Sequence, residues 1–500
     1  MKYAHPPFIL QHVTDNLASM PFLLPLGVIV ATLVVLVVLT VACPQWQDYW
    51  CLPLAVGGLL VALCCIYAAP WQETAILCNQ LLVYDAVVTF FHLLLIGITV
   101  LTLLAWHGGA LMRSKLSLKV ENVAAEQVVL LLGNLLGACC VAMAYHWLSL
   151  YLGLTLLALT TALLLYSSPT ALAAEASLKY LLYSMVVAAI MLWGVSCLYG
   201  LTRTLTFEGV AAGGLAVGWP LLLALSSLLF TIAVFPLHFW LPDVYQGAPA
   251  VVVAYLATVP KLAALAALLR IFHHCAAGWD PVLHAHARYG LGVLALWTLV
   301  IGNGAALLQV HGQRMMAYAS IAQGGLLLAG IAVLQTADLR PVLFYSAVYS
   351  IMGWAGFVSM GVLERLSGSP MVQGYAGLGR KWPVLGVAIT VIMLALTGLP
   401  PTAGFMAKWL LLVAVWQQVQ GAGGVLWMAL GLMGLLSTIL SLYYYLRQSY
   451  VLFFREAPST AVEDMCWVQW SMIVGVAGGL VGGFWYAHSW LQALAHWLGA

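Results

Sequence analysis

The stretch that decides the fold runs Leu229-Phe-Thr-Ile-Ala-Val-Phe-Pro236-Leu-His238-Phe-Trp-Leu-Pro242-Asp243-Val-Tyr-Gln-Gly247-Ala-Pro249, and it leads into a long apolar run over 248–273. An apolar helix of about 20 residues spans about 30 Å of hydrocarbon. Here three prolines, a histidine and an aspartate cut through one. Proline removes a backbone donor and leaves a carbonyl one turn earlier unpaired, which is tolerated at membrane depth only beside protein or water. A second interruption reads Leu396-Thr-Gly-Leu-Pro400-Pro401-Thr-Ala-Gly404-Phe-Met-Ala-Lys408-Trp409. Broken helices in the two halves of one chain point to an inverted-repeat transporter and its ion path. The alternative is that each proline merely kinks an ordinary membrane helix.

Working outward, the composition agrees with a membrane chain. Of 500 residues, 64% are apolar or aromatic and 6% are charged, with 17 basic and 15 acidic side chains. A soluble domain of this length carries about 125 charges. Mean hydropathy is +1.03. These figures exclude a soluble enzyme, a nucleic-acid binder and a disordered chain. The net charge of +2 is scattered and carries no message about acidic partners. Ten cysteines include no CxxC pair, and no spacing matches an iron–sulfur or zinc site. No Gly-rich nucleotide fingerprint is present either. This chain is therefore expected to hold no metal and no redox cofactor. His273, His274, His284 and His286 with Asp280 match no standard metal spacing and read as a solvated loop.

Apolar runs predict about fourteen spans, near 22–43, 52–69, 83–106, 126–144, 147–167, 176–200, 216–235, 248–273, 288–310, 317–335, 341–363, 383–419 (broken), 425–453 and 468–490. No alternating barrel pattern competes, so the class is an all-α polytopic membrane protein. Only Lys2 is basic before residue 22, so the first apolar run reads as a retained span. Lys and Arg in short loops set orientation. Arg113, Lys115, Lys119, Arg314, Arg365, Arg380, Lys381 and Arg455 fall on one side, against Lys2, Arg203, Arg270, Arg288 and Arg340 on the other. Both termini are thus expected on the outer side.

Charged groups inside the bilayer cost about 2.5–3.5 kcal/mol each and need a reason. Lys261 sits deep in an apolar run, and Lys408 follows the second break. An amine in apolar surroundings gives up its proton more readily, which is the chemistry of a relay. The alternative is a structural ammonium paired with carbonyls freed by Pro260 or Pro401. Lys179 stands one turn after Glu175, an order that favours a local ion pair. Asp243 could cap a helix start. His238 is the natural proton shuttle, because histidine titrates near neutral pH.

At these residues the chain resembles the antiporter-like membrane subunits of respiratory complex I. Pro236–Pro249 looks like their signature, and Asp243-Val-Tyr-Gln-Gly-Ala-Pro249 followed by Tyr255-Leu-Ala-Thr-Val-Pro-Lys261 is similar to the subunit N form. Glu175-Ala-Ser-Leu-Lys179-Tyr, Arg314-Met-Met-Ala-Tyr-Ala-Ser-Ile-Ala-Gln323, Gly398–Lys408 and Tyr443-Tyr-Tyr-Leu-Arg447 resemble it too. The likeness covers roughly residues 80–455. It implies two inverted five-helix repeats, 111–274 and 275–455, between a three-helix extension at 1–110 and a C-terminal helix at 456–500. It also implies a subunit of a proton-translocating NADH:quinone oxidoreductase in a bacterial inner membrane. Flavin and iron–sulfur clusters would then lie in partner subunits. The other membrane-arm subunits and the lipid bilayer are the implied partners, and the quinone is used by the complex but not bound here. Lys261 would be the central relay lysine, Lys408 the lysine toward the exit, and His238 and Lys179 part of the path.

Three positions depart from the family pattern. A glutamate normally stands in the fifth helix where this chain has Thr155, a lysine in the seventh where it has Thr231, and a histidine in the tenth where it has Gln323. Threonine and glutamine hold water but do not titrate near neutral pH. Three expectations stay open. Protons pass over water held by Thr155 and Thr231 to Lys261 and Lys408; or the chain is a coupling subunit without its own pathway; or it serves a related cation antiporter or a complex not linked to NADH.

Overall fold

The computed structural model describes residues 7–43, 47–68, 74–115, 125–166, 170–334, 338–421, 423–456 and 467–498. Lys2 and Lys119, used above for orientation, lie outside them. Among the described residues, twelve helices are long and apolar enough to cross a membrane. The bent pair Gly213–Ala224 and Ser226–Ile232 makes a thirteenth if taken as one span, with a 42° bend. Two shorter helices, Pro383–Thr397 and Ala403–Gln417, share the place of the expected span 383–419. Each has 15 residues. That is about 22 Å of helix, short of the hydrocarbon thickness, so the two halves cross only together.

Burial divides the bundle into core and rim. The helices Ala250–His273, Gly312–Val333 and Arg340–Ser367 each have 94% of their most apolar window inside the protein. For Ser19–Ala42, Ala171–Thr202 and Trp467–Trp485 the figure is 22%. A helix apolar on all sides can be either core or lipid-facing, and apolarity alone does not separate the two here. Gly302 on Pro281–Leu307 meets Gly312–Val333 so closely that a Cβ there would lie 2.7 Å from Ala322 N. Such close approach is how small residues hold membrane helices together.

The connecting segments gather at two ends. At one, a hairpin of Ala75–Leu77 with Leu82–Tyr84 is the one sheet among the described residues, and Trp147 N donates to Leu205 O at 2.9 Å. At the other, Gly312 N donates to Pro370 O and Val372 N to Val310 O, both at 3.0 Å.

Two expectations are corrected. Arg270 does not belong to an outer loop. It is 2% exposed and pairs with Asp85, Nη1 to Oδ2 at 3.2 Å, while Asp85 Oδ1 accepts Val88 N at 2.8 Å to open the helix Ala86–Lys115. The loop-charge count for orientation therefore loses one of its members. Pro242 and Asp243 do not break a helix either. Both lie in the first turn of Trp240–Gly247, where a missing donor costs nothing and an acidic side chain suits the helix dipole. The interruption falls at 233–239, after the left-handed Ala233 (φ 64°) and through the cis Phe235–Pro236 peptide.

Candidate proton-relay site

Lys261 is placed by a second, smaller interruption. The helix Ala250–Leu256 ends, Ala257 and Thr258 form a step, and Val259–Leu269 restarts with Pro260 in its first turn. Thr258 Oγ1 turns back to Ala254 O and Tyr255 O at 2.9 and 3.0 Å. Lys261 is 2% exposed. Its Nζ donates to Ser320 Oγ at 2.6 Å and Ser320 O at 3.2 Å. It therefore reaches the facing core helix and not a carbonyl freed by Pro260.

From Ser320 the polar contacts continue. Ser320 Oγ and Tyr349 Oη lie 3.0 Å apart, and Tyr349 donates onward to Ala257 O at 3.3 Å. With Lys261 donating in and Tyr349 donating out, the hydrogen between them belongs to Ser320. All the hydrogens then point away from the ammonium, and the chain ends on a carbonyl of the helical step. One turn from Tyr349, Tyr345 donates to Gln323 Oε1, and the two tyrosine rings stack with centroids 6.4 Å apart. Gln323 Nε2 donates to Leu396 O at 3.0 Å. The amide orientation follows from this network, with a hydroxyl on one side and a carbonyl on the other.

Leu396 O is also where Lys408 arrives. Lys408 is 4% exposed, and its Nζ donates to Leu396 O at 2.9 Å and Thr397 O at 2.6 Å. Thr397 is four residues before Pro401, so its carbonyl is the one that proline leaves without a helical donor. The structural pairing considered for Lys408 is thus present in geometry. Gly398 makes it possible: its φ is +86°, and a Cβ there would stand 2.7 Å from Lys408 Cδ. The two lysines end two polar chains, Lys261–Ser320–Tyr349 and Lys408–Leu396 O–Gln323–Tyr345, which meet where the rings of Tyr345 and Tyr349 stack. Among the described residues, no direct hydrogen bond joins the Tyr349 and Tyr345 hydroxyls.

A second charged group lies at the end of the bundle. Lys179 pairs with Glu175 at 2.7 Å and with Asp243 at 3.4 Å, and Asp243 pairs with Arg314 at 3.0 Å. Arg314 also donates to Gln246 Oε1 at 2.8 Å. The Lys179 side chain is 40% exposed, and among the described residues no hydrogen bond joins it to Lys261 or Lys408. It ties the short helix Trp240–Gly247 to its neighbours.

The remaining expected positions stand apart from the two polar chains. His238 is buried in the turn between Phe235 and Phe239, and no hydrogen bond joins it to either lysine among the described residues. Thr231 Oγ1 bonds back to Ser227 O at 2.8 Å, and half-exposed Thr155 bonds back to Leu152 O at 2.9 Å. The buried polar cluster nearest Thr155 on its helix is a different one: Asn134 Nδ2 donates to Thr160 Oγ1 at 3.0 Å and Thr161 Oγ1 at 2.8 Å. Sequence reasoning missed Ser320, Tyr345, Tyr349 and Asn134. The available signal was weak: Ser320 lies one turn before Gln323, and the two tyrosines recur at i,i+4 inside an apolar span.

Interrupted helices with lysines buried beside two of the breaks are the layout in which membrane proteins build ion paths. The family described as NADH:quinone oxidoreductase/Mrp antiporter, TM, matches residues 144–435. NADH-quinone oxidoreductase subunit N of Anaeromyxobacter sp. is 32% identical over 428 residues, 81% of this chain and 81% of that protein. A chain of respiratory complex I from Thermus thermophilus superposes with a TM-score of 0.77 at 30% identity, over 94% of this chain and 98% of that one. A chain of the archaeal membrane-bound sulfane sulfur reductase reaches 0.80 at 20% identity, over 95% and 96%, a likeness of fold alone. The chain belongs to the NADH:quinone oxidoreductase/Mrp antiporter family, and its resemblance within it is to subunit N.

Proposed function

We propose that this chain is an antiporter-like membrane-arm subunit of a proton-translocating NADH:quinone oxidoreductase, and that protons pass through it by way of Lys261 and Lys408. The observation that carries the reading is the pair of polar chains, one from Lys261 to Tyr349 and one from Lys408 to Tyr345, brought together by the stacked tyrosine rings. A proton on Lys261 passes to Ser320 Oγ as Ser320 gives its own hydroxyl hydrogen to Tyr349 and Tyr349 releases its hydrogen to water. Water would have to carry it from there to Lys408, because Gln323 and Lys408 both donate to Leu396 O and that carbonyl passes no proton. Gln323 does not titrate. Its role is to hold Tyr345 and Leu396 O in register. Electron transfer, with its flavin and iron–sulfur clusters, belongs to partner subunits, and the quinone binds among them.

An inverted-repeat reading of 111–274 and 275–455 is supported by the spans: each range holds five, and the fourth is the bent pair Gly213–Ala224 with Ser226–Ile232 in the first and the pair Pro383–Thr397 with Ala403–Gln417 in the second. A bacterial inner membrane with both termini outside fits the loop charges that remain. A second reading has a specific observation in its favour. Thr155 and Thr231 turn back on their own helices, and Lys408 is clamped by two carbonyls, as a proton-inactive coupling subunit would have it.

Protons moved per NADH oxidised separate the two. In the intact complex, Lys261→Ala lowers that ratio if the chain is a relay. An unchanged ratio at unchanged assembly gives the coupling reading.

A further inference from the structure

The long helix Gly424–Phe454 ends at the same side of the bundle as the loop that carries Val372. One of its faces is not used by the bundle. Ile439, Tyr443, Leu446, Tyr450 and Phe454 follow one another at helical spacing and all are exposed. Such a stripe on a membrane helix normally faces acyl chains and needs no further account. This one borders a groove of about 630 Å3, however, and the groove is lined by Arg447 and Arg455 as well.

Among the described residues, the charges on that groove are unbalanced. Arg447 is half-buried about two turns before the helix end, and its Nη2 donates to Gln309 O at 2.5 Å. Arg455 closes the helix and is exposed. Neither arginine has an ion pair among the described residues. Arg380 adds a third guanidinium at this end, where its Nε donates to Phe453 O at 2.6 Å, with Lys381 next to it. Glu456 is the one acidic neighbour in the described segment that follows. Tyrosines 443 and 450 flank the arginines, as aromatic side chains do at the headgroup level.

We propose that this groove seats an anionic phospholipid, its phosphate on Arg447 and Arg455 and its upper acyl segments along Ile439, Leu446 and the two tyrosines. Charge complementarity selects the ligand, since arginine forks match phosphate oxygens. Basic pockets beside membrane helices bind such headgroups. Size argues against a protein helix: a pocket of a few hundred Å3 holds a small-ligand-sized group, whereas a helix is about 10–12 Å across. The proposal rests on the fold and is independent of the proton relay.

Native mass spectrometry of the full chain in mild detergent tests it, with phosphatidylglycerol and phosphatidylcholine of identical acyl chains as probes. Phosphatidylglycerol should be retained in preference. Each arginine near the surface is worth about a fivefold preference. Arg455→Gln should therefore lower the preference about fivefold, and Arg447→Gln/Arg455→Gln about 25-fold. Arg340→Gln, paired with Asp338 away from this groove, should leave it unchanged. Arg455 has an exposed side chain, so its variant tests the idea even if the double variant folds poorly. Equal retention of the two lipids, or a preference that survives Arg455→Gln, overturns the proposal. So does loss of a neighbouring subunit from the variant complex with lipid retention unchanged, which would make the groove a protein interface.

Discussion

Lys261 and Ser320 show how a charge is held in this interior without a carboxylate. The ammonium has two acceptors on one residue of the facing helix, and the hydroxyl passes its own hydrogen to Tyr349. A hydrogen bond to a charged group contributes about 1.5–3 kcal/mol. Ser320→Ala should therefore lower stability by about that amount, read as a drop in the thermal unfolding midpoint of the purified chain. Ser320→Thr keeps a hydroxyl and should restore most of it. Equal losses in both variants would mean that packing, not the bond, is what matters there. Arg270 and Asp85 make the opposite choice, a direct ion pair buried on both sides. Breaking such a pair one-sidedly is expensive because the survivor is left uncompensated.

At the scale of elements, the breaks position the lysines, and each break has a local cause. Gly398 ends Pro383–Thr397 in a left-handed conformation, and its missing Cβ leaves the space that the Lys408 stem fills. Gly398→Ala meets both constraints. The conformation alone costs about 1–2 kcal/mol, and the stem must move away from Leu396 O and Thr397 O. Proton translocation should fall in that variant together with stability. Retained translocation at full assembly would show that the lysine does not need this seat. Much at this scale is legible in the sequence. Apolar runs give the helices, and Pro236, Pro400 and Pro401 give the places where they fail. Pro242 misleads because a proline in a first turn and a proline in a break are the same letter. What it does is decided by the left-handed turn at Ala233 upstream, which no residue type announces.

For the whole molecule, the sequence reveals charges in apolar runs but not their partners. Lys261 and Lys408 stand out because lysine is rare there. Ser320, Tyr345 and Tyr349 do not, since serine and tyrosine are ordinary in membrane helices and only packing decides which face is inward. Asp85 and Arg270 are 185 residues apart, and nothing local pairs them. Thr155 and Thr231, where one expectation puts proton-carrying water, bond back to their own helices, while the polar contacts of Lys261 run to Ser320 and Tyr349. Two lysines in one path is the central claim. Its most direct test is the ratio of protons moved per NADH oxidised in Lys261→Ala, Lys408→Ala and the double variant of the intact complex. Groups acting as a unit are strongly non-additive. Each single variant should lower the ratio, and the double variant should lower it no further. Losses that add, or a ratio unchanged in all three, would contradict it.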